Sequence, residues 1–162
     1  VKSKINSREV KEWSQPMIES MSVGLIAFIV KRINGLFHFI VQAKVEVGNL
    51  DIIELAPTIQ CITGNYRRTG KGELPFLDYI LDASNNQTIY DSMQSEEGGR
   101  FFKEHNRNLI IQADNEFPDE LPNNYIWMTY NQLHSFMIFN NYLNIQARSL
   151  LSVIKQCGDE ID

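Results

Sequence analysis

The chain has 162 residues, 43% of them hydrophobic, and a formal net charge of -5. That suffices for one domain with its own core, and Lys and Arg are not clustered as a nucleic-acid partner would require. No apolar run approaches the ~18 residues that span a bilayer, and no secretory signal is read; a cytoplasmic protein is expected, and a chain opening at Val1 is expected to be a fragment clipped at its start.

Residues 1–16 read as a polar lead-in. Residues 24–33 are apolar and β-branched and end at Asn34-Gly35, a dipeptide suited to a tight turn with positive φ at both central positions. Residues 36–47 follow as the partner strand of a hairpin. Phe37, Phe39, Val41, Ala43 and Val45 share one face of it. His38, Ile40, Gln42, Lys44 and Glu46 share the other, which is either solvated or lines a site.

Gly48-Asn49 breaks the run. Residues 52–63 read as a third strand, with Pro57 marking an edge, a bulge or a break. Residues 64–72 form a glycine-rich basic loop. Residues 74–81 suit a short strand or helix, and Asn85-Asn86 marks a turn. Residues 91–104 suit a helix, although Gly98 and Gly99 weaken it by about 1 kcal/mol each. A short strand over 108–112 and a loop over 114–124 come next. A helix starting at Thr129 places Leu133, Phe136 and Met137 on one stripe. A last helix over 145–156 has Asn144 as N-cap, Gly158 as stop and Leu150, Leu151 and Ile154 inward. Strands first and helices last predict an α+β fold.

Several chemistries are disfavoured. The chain lacks a Gly-x-Gly-x-x-Gly motif, a Walker A loop and a Gly-x-Ser-x-Gly elbow. His38, His105 and His134 are scattered without a zinc-ligand partner. Cys61 and Cys157 lack metal-ligand spacing and read as reduced thiols; a disulfide between them is the less favoured alternative. Ser95 to Gly99 is similar to the end of the Nudix metal box. The Arg-Glu pair that the box needs one turn earlier is replaced by Ser92 and Met93, so no metal is expected.

An ordered set of segments resembles the NDP-hexose 2,3-dehydratase family. It comprises Trp13, Gln15 and Pro16; Gln42 to Asn49; Glu54 to Gln60; Asn65-Tyr66; Gln94 to Gly98; Asn106 to Asn108; and Asn140 to Asn144 with Arg148-Ser149. The resemblance covers nearly the whole chain. It implies an α+β, Nudix-like mixed sheet flanked by helices and lacking the hydrolase metal box. It implies removal of water across C2 and C3 of a 4-keto-6-deoxyhexose carried on a nucleoside diphosphate, usually dTDP, in deoxysugar biosynthesis. No cofactor is implied. Family chains carry two such repeats and form dimers. Residues 1–162 hold a single repeat, so a homodimer is expected to supply the second half. The alternative is a non-catalytic repeat that binds a nucleotide sugar or only a partner.

In that reaction the 4-keto group acidifies the C3 proton. A base must remove it, an acid must assist the C2 hydroxyl, and donors must face the C4 oxygen. Glu46, ending the polar strand face, is the first candidate base; a solvated strand-end carboxylate is the plain alternative. Glu54 is a weaker candidate. Tyr66 is the candidate donor, or packs in its loop. Arg67 and Arg68 suit the diphosphate, because guanidinium groups fork onto phosphate oxygens; a solvated basic loop is the alternative. Gln42 and Lys44 share the face of Glu46 and are candidate sugar contacts. Gln60 and Asn65 suit sugar hydroxyls or the thymine edge. Trp13, with Gln15 beside it, either stacks on the base or packs on the sheet. Arg148, on a helix, is expected in a salt bridge.

Overall fold

The hairpin expected at residues 24–47 lies at the heart of the sheet. The structure is a computed structural model that describes residues 1–62, 74–139 and 141–154. Strands β1 (Lys2–Lys4) and β2 (Glu12–Ser14) form a small antiparallel pair within the polar lead-in. Strands β3 (Gly24–Ile33) and β4 (Leu36–Val45) form the hairpin. Asn34 and Gly35 adopt φ of 51° and 84° at its turn, the pair of positive values that a two-residue turn between twisted strands requires.

The hairpin strands stay paired only from Val30 opposite Phe39 to the turn. Beyond that point they splay, and the single strand expected at 52–63 enters the gap as two. Strand β5 (Ile53–Pro57) pairs with β4, and β6 (Ile59–Ile62) pairs with β3. The break anticipated at Pro57 is therefore real, and Thr58 occupies it. The Thr58 side chain accepts a hydrogen bond from the Ile29 amide at 2.9 Å and donates to the Ile40 carbonyl at 2.6 Å. One hydroxyl thus satisfies the two backbone groups that the splaying leaves without each other, and Thr58 is fully buried.

Helix α1 (Leu77–Leu81) resolves the strand-or-helix choice at 74–81. Residues 85–87, expected to turn, form a single 3₁₀ turn. Strand β7 (Thr88–Ser95) overturns the helix expected over 91–104. Asp91, Met93 and Ser95 are exposed while Ser92, Gln94 and Glu96 are half-buried. That alternation has the period of a strand, and the segment pairs antiparallel with strand β8 (His105–Gln112). Strand β8 in turn runs parallel to β3. Leu109, Ile110 and Ile111 are all buried, as fits a strand covered on both faces. Strand β9 (Tyr125–Thr129), absent from the sequence reading, pairs with β4. The loop expected before it is anchored by Lys31, whose ammonium donates to the Phe117 carbonyl and to Asp119.

The fold is α+β, a mixed seven-stranded sheet with helices on both faces. Helices α2 (Tyr130–Met137) and α3 (Ile145–Ile154) close one face, where Phe28, Phe39, Ile110, Leu133, Leu150 and Leu151 form a core. Phe28 and Phe39 meet edge to face, with centroids 5.6 Å apart. The opposite face packs Leu25, Ile29, Ile40 and Ile59 against Leu77, Ile80 and Phe117. Burying each side chain of this size contributes about 1.5–3 kcal/mol. Thr129 caps α2 through the Gln132 amide, as expected of a helix beginning there.

Across the β7–β8 pair, Arg107 grips Asp91 through one guanidinium edge, Nε and Nη2 donating to the two carboxylate oxygens at 3.0 and 2.6 Å. This holds the Asp91 carboxyl below the usual carboxylate range. A depressed carboxylate adds stability above its unfolded value, near pH 4; that stability is lost as pH falls through the folded value. The pair is solvent-facing, so the contribution is about 0.5 kcal/mol. Urea denaturation at pH 7 and pH 3 should show the gap between the native protein and Asp91→Asn narrowing by that amount in acid. A constant gap would show that the pair adds nothing to acid stability.

Candidate functional site

The polar residues around Glu46 meet at one end of the sheet. The pairing sets two rows of side chains on the face below α3. One row runs Gln60, Ile26, Asn108, Ser92; the next runs Ile62, Gly24, Asn106, Gln94. Neighbouring strands lie about 5 Å apart, so the rows make a floor across four strands. The start of α3 stands over this floor with Asn144, Gln146 and Arg148. The chain after β4 (Glu46 to Leu50) and the chain after β7 (Glu96 to Glu104) form the rim. Together they enclose an open cavity of about 720 Å³.

Glu46 ties one wall together. Its Oε1 accepts hydrogen bonds from Lys44 Nζ at 3.0 Å and Gln60 Nε2 at 3.1 Å. Its Oε2 lies 3.5 Å from Asn144 Nδ2, which donates to Gln60 Oε1 at 2.6 Å. Asn144 is only 3% exposed. Its side-chain oxygen, Oδ1, accepts from the Ala147 amide at 2.9 Å, the N-cap bond anticipated from the sequence. One amide therefore joins the start of α3 to the Lys44–Glu46–Gln60 cluster.

The far wall is built around Glu96. Asn106, buried in β8, donates to Glu96 Oε1, and the Glu96 amide donates to the Glu104 carbonyl at 3.0 Å. Gly24 gives Asn106 its room: a Cβ at that position would stand 2.0 Å from Asn106 Oδ1. A glycine inside a strand here marks close approach. Cationic side chains face the same space. Arg100 and Arg148 line it, and among the described residues neither forms an ion pair. The salt bridge expected of Arg148 is thus replaced by a position on the cavity wall.

Residues 1–154 match the family model described as NDP-hexose 2,3-dehydratase. This chain belongs to that family. A dTDP-4-dehydro-6-deoxy-alpha-D-glucopyranose 2,3-dehydratase of Saccharopolyspora spinosa is 45% identical over 147 residues, covering 90% of this chain and 30% of that protein. Its namesake from Streptomyces violaceoruber is 41% identical over 154 residues, 95% of this chain and 34% of that protein. The chain thus spans about a third of the length of these relatives. In fold, it is similar to the C-terminal domain of mouse MUTYH solved with human PCNA, with a TM-score of 0.52 at 8% identity, covering 83% of this chain and 87% of that one. A C. elegans Ap4A hydrolase has a TM-score of 0.48 at 13% identity, covering 84% and 98%.

The segments that carry the likeness to the 2,3-dehydratases converge. Glu46, Gly48, Asn49, Glu54, Gln60, Glu96, Asn106, Asn144 and Arg148 all border the cavity. Lys44 reaches it through Glu46. Gln42 lies on the face of β4 shared with Lys44, opposite Ala56 and Tyr125; it is outside the hydrogen-bonded cluster and the cavity lining. Trp13 and Gln15 are not brought to Glu46. Trp13 Nε1 donates to Gln15 Oε1 at 2.7 Å, and Gln15 donates to the Gly99 carbonyl, fastening β2 to the rim. Asn65, Tyr66, Arg67 and Arg68 lie outside the described residues. Arg100, Asn106 and Gln146 are cavity residues that were not among the candidates from sequence. Period-two reading of 88–96 would have pointed to this wall.

Cys61 lines the cavity on β6. Burial pushes its thiol up to about 11, against the opposing pull of Lys44. Only about 0.1% is then thiolate at pH 8, against roughly 10% for a thiol of pKa 9. In a Cys157→Ser variant, alkylation at pH 8 should run about a hundredfold slower than that of glutathione. A rate close to that of glutathione would place Cys61 in an exposed or cationic setting instead.

Proposed function

We propose that this chain forms a sugar-nucleotide site of a dTDP-4-keto-6-deoxyhexose 2,3-dehydratase, acting in the cytoplasm without a cofactor and without a nucleic-acid partner. Water leaves across C2 and C3 of the hexose. The observation that carries the reading is the convergence of the family's segments on one cavity that holds carboxylates, amides and cations together. Carboxylates serve proton transfer at C3 and C2. Amides such as Gln146, which lines the cavity, suit hydroxyl groups, while Gln60 is proposed to shape the wall beside them. Arg100 and Arg148 suit a diphosphate, with Arg67 and Arg68 proposed as further phosphate contacts. Tyr66 and Asn65 are proposed to face the sugar.

A second reading draws on length. Because the relatives are about three times as long, the site is proposed to work against a second copy of the chain. Val45, Val47, Leu50, Ile52 and Ile53 are exposed beside Glu46, and they are the surface such a copy would cover.

Calorimetry with dTDP and with dTDP-4-keto-6-deoxyglucose tests the site. Binding of both is expected, with turnover registered as NADPH consumed when a 3-ketoreductase is added. Binding without turnover would favour a non-catalytic repeat. Failure to bind either ligand would sink the reading.

A further inference from the structure

Resting on the dehydratase reading, we propose that Glu96, and not Glu46, is the carboxylate that takes the C3 proton of the sugar. The difference lies in how each is occupied. Glu46 Oε1 already accepts from Lys44 and Gln60, and its Oε2 faces Asn144. Those partners are parts of the frame, since Asn144 also caps α3. Glu46 is a clamp, and taking a proton from a ligand would mean releasing the wall it holds.

Glu96 has the complementary arrangement. Oε1 accepts from Asn106, which fixes the carboxylate plane. Oε2 makes no hydrogen bond or ion pair among the described residues, on a half-buried side chain. Glu96 also stands at a junction. It borders the main cavity and a recess of about 70 Å³ beside it, which Gln94, Asn106, Asn108, Gln146 and Ser149 line. Amides and a hydroxyl are the groups that grip sugar hydroxyls. The support is rigid: Asn106 sits on a central strand and packs into the space that Gly24 leaves open. Sites held on strands by ordered neighbours keep the geometry that proton transfer needs.

Of the other cavity carboxylates, Glu97 is exposed to solvent, and the remaining two are placed less well. Among the described residues Glu54 makes no hydrogen bond that would orient it. Glu104 Oε2 has no partner among the described residues but is sealed from solvent, out of a ligand's reach, and the Glu104 carbonyl holds the Glu96 amide.

The step balances within the substrate and Glu96. The C3–H bond breaks and its proton goes to Glu96 Oε2. The electron pair forms a C3–C4 double bond and the C4 carbonyl becomes an enolate. The enolate then reforms C4=O, a C2–C3 double bond forms, and the C2–O bond breaks. The departing hydroxide takes the proton back from Glu96 and leaves as water, returning the carboxylate.

The test follows loss of the C3 proton signal of dTDP-4-keto-6-deoxyglucose in D₂O by NMR, using the full chain. Glu96→Gln should slow the protein-dependent exchange at least about a hundredfold, with the dissociation constant for the sugar nucleotide within about threefold of the native value. Gly24→Ala should lower exchange about tenfold or more at unchanged KM, because a Cβ there displaces Asn106 and so misplaces Glu96. Asn106→Ala should lower exchange at least as far and also raise KM, since Asn106 lines the recess. Glu46→Gln should instead weaken binding and lower Tm. Native exchange in Glu96→Gln would overturn the assignment alone. So would lost exchange with intact binding in Glu46→Gln. No exchange by the native protein would overturn the dehydratase reading itself.

Discussion

Thr58→Val is expected to destabilise the protein by about 3 kcal/mol, since a single methyl replaces the hydroxyl and orphans two buried backbone groups at once. The Ile29 amide and the Ile40 carbonyl both bond to Thr58 Oγ1, and each unsatisfied group costs about 1–3 kcal/mol. Valine fills the same volume, so no cavity term enters. For a chain of this length the loss corresponds to a fall in Tm of roughly 6–12 °C. Thr58→Ser keeps the hydroxyl and should recover most of it. Equal melting of Thr58→Val and the native protein would mean that solvent, not Thr58, fills the gap between the splayed strands.

The second large effect is expected at Asn144, where two roles can be separated. Asn144→Ala loses the cap on α3, worth about 1 kcal/mol. It also strips Gln60 Oε1 of its donor in a half-buried setting, for a total of about 2–3 kcal/mol. Binding of dTDP-4-keto-6-deoxyglucose should weaken by about tenfold or more as that wall loosens. Asn144→Asp keeps a good capping oxygen but no longer donates to Gln60, and it sets a second negative charge against Glu46. It should therefore retain most of the helix while losing the binding. If both variants bind as the native protein does, the Lys44–Glu46–Gln60–Asn144 wall is no part of the sugar site.

The readable parts of the sequence were those where local chemistry decides the backbone. Asn34-Gly35 permits positive φ twice, and Pro57 cannot donate to a ladder. Thr129 and Asn144 carry the oxygens that cap helices. The meeting of Lys44, Glu46 and Gln60 was also legible, since alternation put Lys44 and Glu46 on one face and family likeness singled out Gln60. The far wall was not. Gly98 and Gly99 look like flaws in a helix, although the polar alternation of 91–96 is that of an edge strand. Strand β9 was hidden because Ile126 and Trp127 follow a proline-rich loop, and only its pairing with β4 gives it a partner. Asn106 could not be placed from sequence, since its position depends on the parallel register with Gly24, a tertiary match without local signature.

That register also bears on biosynthesis. Gly24 aligns with Asn106, so the two partners are 106 − 24 = 82 positions apart along the polypeptide. As the ribosome extrudes the chain, the apolar run from Leu25 to Val30 must wait unzipped on one edge until its mate emerges. Long-range parallel pairing of this kind is slow and leaves sticky intermediates. Nascent polypeptides stalled before residue 105 should recruit holdase chaperones, whereas those released after 154 should not.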